Sequence, residues 1–85
     1  MRLTLKYFAS LRETLGAGGP LDWQPEGERT AAALRAWLRT QSDAHAQALA
    51  PGRAVRVAVD QALADESAPL HDGAEVAFFP PVTGG

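Results

Sequence analysis

The most constraining stretch of this 85-residue chain is EVAFFPPVTGG, residues 75–85. Its apolar first part, Glu75–Phe79, predicts a final strand that runs directly into the tail. Pro80-Pro81 fixes its own φ angles and biases the preceding residue toward extended backbone. Gly84-Gly85 adds no side-chain bulk. The stretch therefore predicts a strand, a stiff base and a slim tip that can thread a narrow tunnel, although a frayed terminus is the alternative for a tail considered alone.

Composition and charge exclude several classes of protein. The chain is 46% hydrophobic, which is normal for a folded domain, and its net charge is −2 with no basic run, so binding to nucleic acid has little support. Cysteine is absent, which rules out a disulfide framework, a thiolate metal site and a cysteine nucleophile. Neither a signal peptide nor a membrane span is visible, so we expect a cytoplasmic protein.

Alternation of apolar and polar residues predicts the strands. Leu3, Leu5 and Tyr7 alternate with polar residues. Val55, Val57 and Val59 recur with the same period of two. Glycine at 18–19 and the pair Asp60-Gln61 are expected to form turns. The expected strands are residues 2–7, 21–23, 55–59, 62–64 and 75–79.

Capping signals predict three helices. Ser10 and Glu13 have the spacing of a capping box, and Thr30 and Asp43 are plausible N-caps for two further helices. The expected helices are residues 11–15, 31–41 and 44–49. The middle helix carries an apolar stripe at helical spacing: Ala31, Leu34, Trp37 and Leu38.

The order of these elements predicts an α+β domain with helices packed on one face of a mixed sheet. Within the middle helix, Arg35 and Arg39 are expected on a more solvated side. The opposite sheet face carries Phe8, Ala77 and Phe79, which are more apolar than a solvated face requires. Such a patch usually marks a partner surface, the alternative being that the small helices cover it. We expect one domain over residues 1–79 and a flexible tail over 80–85.

No set of side chains has the pattern of a catalytic or metal site. The glycine-rich residues 16–19 lack the lysine and serine or threonine of a phosphate cradle. His45 and His71 are far apart in sequence and lack a carboxylate at ligand spacing, so no metal site is expected. Asp65-Glu66 is interpreted as a solvated loop. The reactive group is therefore best sought at the Gly85 carboxylate, which adenylation would activate for attack by a sulfur nucleophile to give a thiocarboxylate.

The whole chain resembles the small sulfur-carrier subunits of molybdopterin synthase, the MoaD-type proteins of the ubiquitin-like MoaD/ThiS family. The resemblance is carried by YFASLRE at residues 7–13, VAVDQ at 57–61 and, most specifically, DGAEVAFFPPVTGG at 72–85. These carriers more often have asparagine where this chain has Asp60, a mild departure at a turn.

The resemblance implies a β-grasp, ubiquitin-like fold with the first and last strands parallel at the centre of the sheet. It implies that a ubiquitin-activating-like adenylyltransferase adenylates Gly85, which then becomes a thiocarboxylate. The tail would enter a large catalytic subunit, in a heterotetramer, and deliver sulfur to cyclic pyranopterin monophosphate to build the dithiolene. The small subunit would be non-catalytic on its own and would bind no resident cofactor, only the transient adenylate.

The resemblance also implies roles for individual residues of this sequence that match the family's motif. Gly85 would carry the sulfur and Gly84 would be the slim residue behind it. Thr83, Val82, Pro81 and Pro80 would line the path into the partner, while Phe8, Arg12 and Phe79 are expected on the docking surface. The alternatives are a related carrier for thiamine or tRNA thiolation, a protein modifier, and a module whose tail only docks.

Overall fold

The computed structural model describes residues 1–81, which form five strands and three helices. The strands are β1 Arg2–Tyr7, β2 Gly18–Asp22, β3 Arg56–Val59, β4 Ala62–Ala64 and β5 Glu75–Phe79. The helices are α1 Ala9–Leu15, α2 Ala31–Leu38 and α3 Asp43–Ala48. The five predicted strands and three predicted helices are all present; β1, β4 and β5 have the predicted boundaries, and those of β2, β3 and the helices are shifted.

The last strand lies at the centre of the sheet, whose order is β2-β1-β5-β3-β4. β5 runs parallel to β1, with Tyr7 opposite Phe78, and antiparallel to β3, with Val57 opposite Phe78. The expected parallel pairing of the first and last strands is confirmed. Both edges of β5 are therefore hydrogen-bonded to neighbours, and the segment leading to the tail starts from the interior of the sheet.

The core lies between this sheet and the helices. Val76 and Phe78 of β5 are fully buried, as are Ala31 and Leu34 of α2. Burying a side chain as large as phenylalanine or leucine contributes about 1.5–3 kcal/mol. The predicted α2 stripe is confirmed, except that Trp37 is only partly buried against the core.

The predicted helix caps are partly wrong. Thr30 caps α2 as expected, since its Oγ1 accepts a hydrogen bond from the Ala33 amide at 3.2 Å. The cap of α3 is Ser42 rather than Asp43, which is the first helical residue. Ser10 does not form the predicted capping box, because α1 already begins at Ala9, with Phe8 at its N-cap position and no side-chain hydrogen bond there. α2 ends at Leu38 rather than residue 41, since the following residues form tighter turns.

The expectation of a turn at residues 18–19 is also wrong. Gly18 and Gly19 begin β2, opposite Lys6 and Leu5 of β1. Gly18 has φ +94°, a backbone conformation that favours glycine, and a Cβ at this position would overlap the Leu5 carbonyl group. Gly18 therefore serves close approach of two strands rather than a reversal of the chain, whereas a Cβ at Gly19 would enter open space.

Arg35 is buried, contrary to the expectation of a solvated position. It is 8% exposed, and its Nε donates to the Leu49 carbonyl at 2.8 Å while Nη2 donates to Ala50 O at 2.6 Å. The carbonyls at the end of a helix lack intrahelical partners, and the guanidinium of Arg35 satisfies those that follow α3. Arg39 is half-buried and donates to Ala46 O at 3.1 Å.

Candidate docking face and tail

The strand alternation places two sets of side chains on opposite sides of β5. Since Val76 and Phe78 point into the core, Ala77 and Phe79 face the side away from the helices. Ala77 stands between Lys6 of β1 and Ala58 of β3. We call this side of the sheet the open face.

Two large apolar side chains are exposed in residues 1–81, and both belong to the open face. Leu63 of β4 is 63% exposed and pairs directly with Ala58, so the two side chains share one side. Phe8 is 44% exposed and continues the alternation of β1 in an extended conformation, one residue after buried Tyr7. Exposed apolar residues concentrated on one face indicate a surface for a partner.

Two of the predicted docking residues, Phe8 and Phe79, lie side by side at one end of this face, and the third, Arg12, lies on the neighbouring helix α1. The amide of Phe8 donates to Phe78 O at 3.2 Å, which places Phe8 alongside Phe79. Arg12 lies one helical turn further along, where its amide donates to Phe8 O at 3.3 Å, and its side chain is exposed. Leu63 was not among the sequence-predicted residues, although β4 alternation across the Asp60-Gln61 turn would have placed it opposite Ala58.

Charged groups surround the apolar part of the open face. Lys6 Nζ lies 3.1 Å from Glu75 Oε1; Lys6 stands opposite Ala77 on β1, and Glu75 precedes Ala77 on β5. Arg56 is exposed and stands opposite Phe79. The ion pair of Lys6 with Glu75 is only partly buried and contributes little to stability because water screens it. Its position indicates a polar rim around an apolar centre, as in many protein interfaces.

The tail leaves the sheet directly from β5. Pro80 and Pro81 follow Phe79 and are half-buried. Residues 80–85, if fully extended, would span about 20 Å. The predicted site residues Val82, Thr83, Gly84 and Gly85 lie outside the described residues. The described geometry therefore fixes the point at which the tail begins.

The histidines of the described part of the chain do not form a metal site. No group of three or more His, Cys, Asp or Glu side chains in residues 1–81 is placed to hold an ion. His45 Nδ1 lies 2.7 Å from Ser42 Oγ, and its ring packs edge-on against Tyr7. His71 does have a carboxylate neighbour, Asp60, which lies eleven residues away in sequence.

The remaining candidate groups for acid–base chemistry are structural. Tyr7 Oη is buried with no hydrogen-bond partner in residues 1–81, and burial raises the pKa of Tyr7 to about 12. Asp65 accepts a hydrogen bond from the Ser67 amide at 2.9 Å, and the Ser67 side chain and amide lower the pKa of Asp65. Glu66 instead pairs with Arg35, so it is not simply solvated as expected. The two adjacent carboxylates face different partners.

The helices of the described residues are short. None in residues 1–81 is long and apolar enough to cross a membrane.

Comparison with known proteins gives a family match over nearly the whole chain. The sequence model of the ThiS family matches residues 5–85. The molybdopterin synthase sulfur carrier subunit of Escherichia coli is 44% identical over 82 residues, which cover 93% of this chain and 94% of that protein. The corresponding subunit of Haemophilus influenzae is 39% identical over 84 residues, 98% of this chain and 99% of that protein.

Solved structures share the fold. The Haloferax volcanii HVO 2177 protein superposes with a TM-score of 0.75 at 30% identity, over 100% of this chain and 87% of that chain. A subunit in the complex of subunits 1 and 2 of the Helicobacter pylori molybdopterin-converting factor superposes with a TM-score of 0.66 at 22% identity, over 100% of both chains.

The mixed sheet with β1 and β5 parallel at its centre and helices on one side is the ubiquitin-like β-grasp, as predicted. Within that class, this chain belongs to the ThiS family. The predicted resemblance to molybdopterin synthase sulfur carriers is thereby confirmed.

Proposed function

We propose that this protein is the sulfur-carrier subunit of a molybdopterin synthase, with Gly85 as the residue that carries sulfur. The observation that carries the proposal is the joint placement of an apolar open face and the base of the tail on β5. The proposal is supported by sequence identities of 44% and 39%, over nearly the full length, to two molybdopterin synthase sulfur carrier subunits. The absence of cysteine means that a side-chain thiol cannot hold the sulfur, which leaves the chain terminus.

The proposed chemistry begins with an unreactive group. A carboxylate is a poor electrophile, so an adenylyltransferase would join the Gly85 carboxylate to the α-phosphate of ATP, releasing pyrophosphate. A sulfur nucleophile would then attack the acyl carbon, displace AMP and leave a thiocarboxylate. That sulfur would pass to cyclic pyranopterin monophosphate, and two such deliveries would complete the dithiolene. ATP and the sulfur source would be bound by partners.

The open face would dock on the large catalytic subunit, in the heterotetramer that the resemblance implies. Phe8, Leu63 and Phe79 supply the apolar contacts, and Lys6 and Arg56 belong to the rim. Because Phe79 immediately precedes Pro80, docking of the face would set the point from which the tail enters the partner. Pro80, Pro81, Val82, Thr83 and Gly84 would occupy the tunnel. The folded domain would then act by positioning the terminus, with catalysis left to the large subunit.

The first test is the intact mass of the full chain after incubation with ATP, the adenylyltransferase and a sulfide source. Replacement of one oxygen by sulfur, localised to Gly85, is the expected result. A variant lacking Gly85 is the matched control and should remain unmodified. An unchanged wild-type mass, with the adenylyltransferase active on another carrier, would instead favour a module that only docks.

The ThiS-family match also fits a carrier that supplies another thiolation pathway, or a protein modifier. The client is tested by mixing the thiocarboxylated protein with the purified large subunit and cyclic pyranopterin monophosphate. Formation of the dithiolene supports molybdopterin synthesis. Sulfur retained on Gly85 in that mixture would overturn the proposed client while leaving the carrier chemistry in place.

A further inference from the structure

His71 is held by two hydrogen-bond acceptors at once. Its Nε2 lies 2.7 Å from Asp60 Oδ2, and its Nδ1 lies 2.9 Å from the backbone oxygen of Asp72. A carbonyl oxygen and an ionised carboxylate only accept hydrogen bonds, whereas a neutral imidazole carries a single N–H. Both contacts can therefore form together only when His71 is a doubly protonated imidazolium.

Asp60 connects this histidine to the start of the central strand. Its Oδ1 accepts a hydrogen bond from the Glu75 amide at 3.0 Å, and its own amide donates to Glu75 O at 2.8 Å. Asp60 and Gln61 both have positive φ, +51° and +67°, as a two-residue hairpin turn of type I′ requires. The carboxylate of Asp60 thus bridges the β3–β4 turn, the first residue of β5 and the loop before it.

We propose that His71 and Asp60 form a protonation-operated latch that fastens the loop preceding β5 to the β3–β4 turn. The latch is closed when His71 carries both protons. When His71 is neutral, one of its two contacts must break, and the loop is held to the turn by one fewer hydrogen bond. This inference concerns the folded domain alone and does not depend on the proposed function.

The charges around the pair favour the closed state. Asp60 faces His71 from the turn, Asp72 lies next to it in the loop, and Glu75 faces Asp60 from β5. The Asp72 carboxylate accepts from the Arg2 amide at 2.6 Å, and Glu75 is paired with Lys6 of β1. The hydrogen bond to Asp60, followed by that to the Asp72 carbonyl, raises the pKa of His71 above its ordinary value.

The pKa shifts define the pH range in which the latch contributes. The Glu75 amide and then His71 lower the pKa of Asp60 below its ordinary value of 3.8. A lowered carboxylate pKa stabilises the folded state at pH values above 3.8. This stabilisation is lost as the pH falls through the pKa that Asp60 has in the folded protein. A raised histidine pKa stabilises the folded state fully at pH values below 6.5. This stabilisation is lost as the pH rises through the pKa that His71 has in the folded protein. The latch is therefore fully closed between these two ordinary values and opens on the alkaline side.

The latch lies where two parts of the open face are joined. The β3–β4 hairpin carries Leu63, and β5 carries Ala77 and Phe79. The two elements are already connected by the β3–β5 ladder, and the latch adds a second connection at the turn. Opening it loosens the turn relative to the start of β5 without breaking the ladder.

The direct test is a pH titration of the full chain by NMR of the ring nitrogens. We expect both His71 nitrogens to be protonated at about pH 6 and the His71 midpoint to lie above the ordinary value of about 6.5. In Asp60→Asn the midpoint should fall back toward about 6.5, while the oxygen of the introduced amide still accepts from the Glu75 amide. The proposal would be overturned if the His71 midpoint of the wild type were at or below about 6.5. It would also be overturned if Asp60→Asn left the His71 midpoint unchanged.

A second measurement separates the latch from general stability. His71→Gln removes the titrating group but can still donate one hydrogen bond, so it should lower the urea midpoint at about pH 5.5 and have a much smaller effect at about pH 8.5. His45→Gln is the matched control, and its effect should not follow the titration of His71. An equal loss for His71→Gln at the two pH values would contradict a protonation-operated contact.

Discussion

Arg35 Nη1 lies 2.6 Å from Glu66 Oε1, and the same guanidinium donates to the backbone carbonyls that follow α3. One buried side chain therefore connects α2, the end of α3 and the loop after β4. The carbonyls of Leu49 and Ala50 depend on it, because removal of the donor would leave them without this partner in a poorly hydrated region.

Arg35→Ala should destabilise the protein by about 3 kcal/mol, since it leaves several carbonyls unsatisfied and opens a cavity. Glu66→Gln is the matched control. Its side chain is about half exposed and its amide can still accept from Arg35, so the loss should be below about 1 kcal/mol. Urea denaturation gives both values. Similar losses for the two variants would mean that the ion pair, rather than the bonds to carbonyls, supplies the stability.

Phe8→Ala and Leu63→Ala should each weaken binding to the proposed large subunit by about 1–3 kcal/mol, roughly fivefold or more, because the partner would bury less apolar surface. Their free energies of unfolding should change little, since both side chains are exposed. Isothermal titration calorimetry measures the affinity. Gln47→Ala, at an exposed position on α3, is the control and should bind as the wild type does. Loss of affinity in that control instead would place the interface on the helices.

Gly18→Ala should destabilise the fold by about 2–3 kcal/mol, because the added Cβ meets the Leu5 carbonyl and the positive φ is strained for alanine. Gly27→Ala is the matched control, because a Cβ at position 27 would enter open space. That control should be neutral or slightly stabilising. Thermal unfolding of both variants tests the comparison, and a tolerated Gly18→Ala would show that β1 and β2 can separate at little cost.

A residue added after Gly85 should abolish sulfur transfer and leave the fold unchanged, because the Gly85 carbonyl would then lie in a peptide bond and the new terminal carboxylate would be one residue out of position. Gly84→Val should also block transfer, by its bulk in the partner's tunnel. Thiocarboxylate formation by mass spectrometry and dithiolene formation measure the two steps separately. Transfer by the extended variant would contradict the role of Gly85, and unchanged transfer by Gly84→Val would mean a wider tunnel.

β1 and β5 were predictable from the sequence because alternation in the first and an apolar run in the second are local signals. Residues 2–7 and 75–79 were predicted at the observed bounds, and Thr30 was predicted as an N-cap because its partner is three residues away. Phe8 and Phe79 were placed on the same face for the same reason. In each case the signal lies within a few residues of the feature.

The errors arise where a partner is distant in sequence. The spacing of Arg35 within α2 gives no sign of Glu66, 31 residues further along, or of the carbonyls beyond α3. His71 and Asp60 meet only because β3 and β5 pair. A pair of glycines fits a turn as well as a tight strand contact, so Gly18 could be resolved only once β2 was seen beside Leu5.

The central place of β5 has a mechanical consequence for the proposed function, in which the tail is withdrawn from a partner. A pull on Pro81 along the strand direction loads the β1–β5 and β3–β5 ladders together, and the inter-strand hydrogen bonds resist it in shear rather than opening one after another. An edge strand in the same role would have a ladder on one side only. In the proposed function, the domain would therefore stay folded while the tail is withdrawn from the partner.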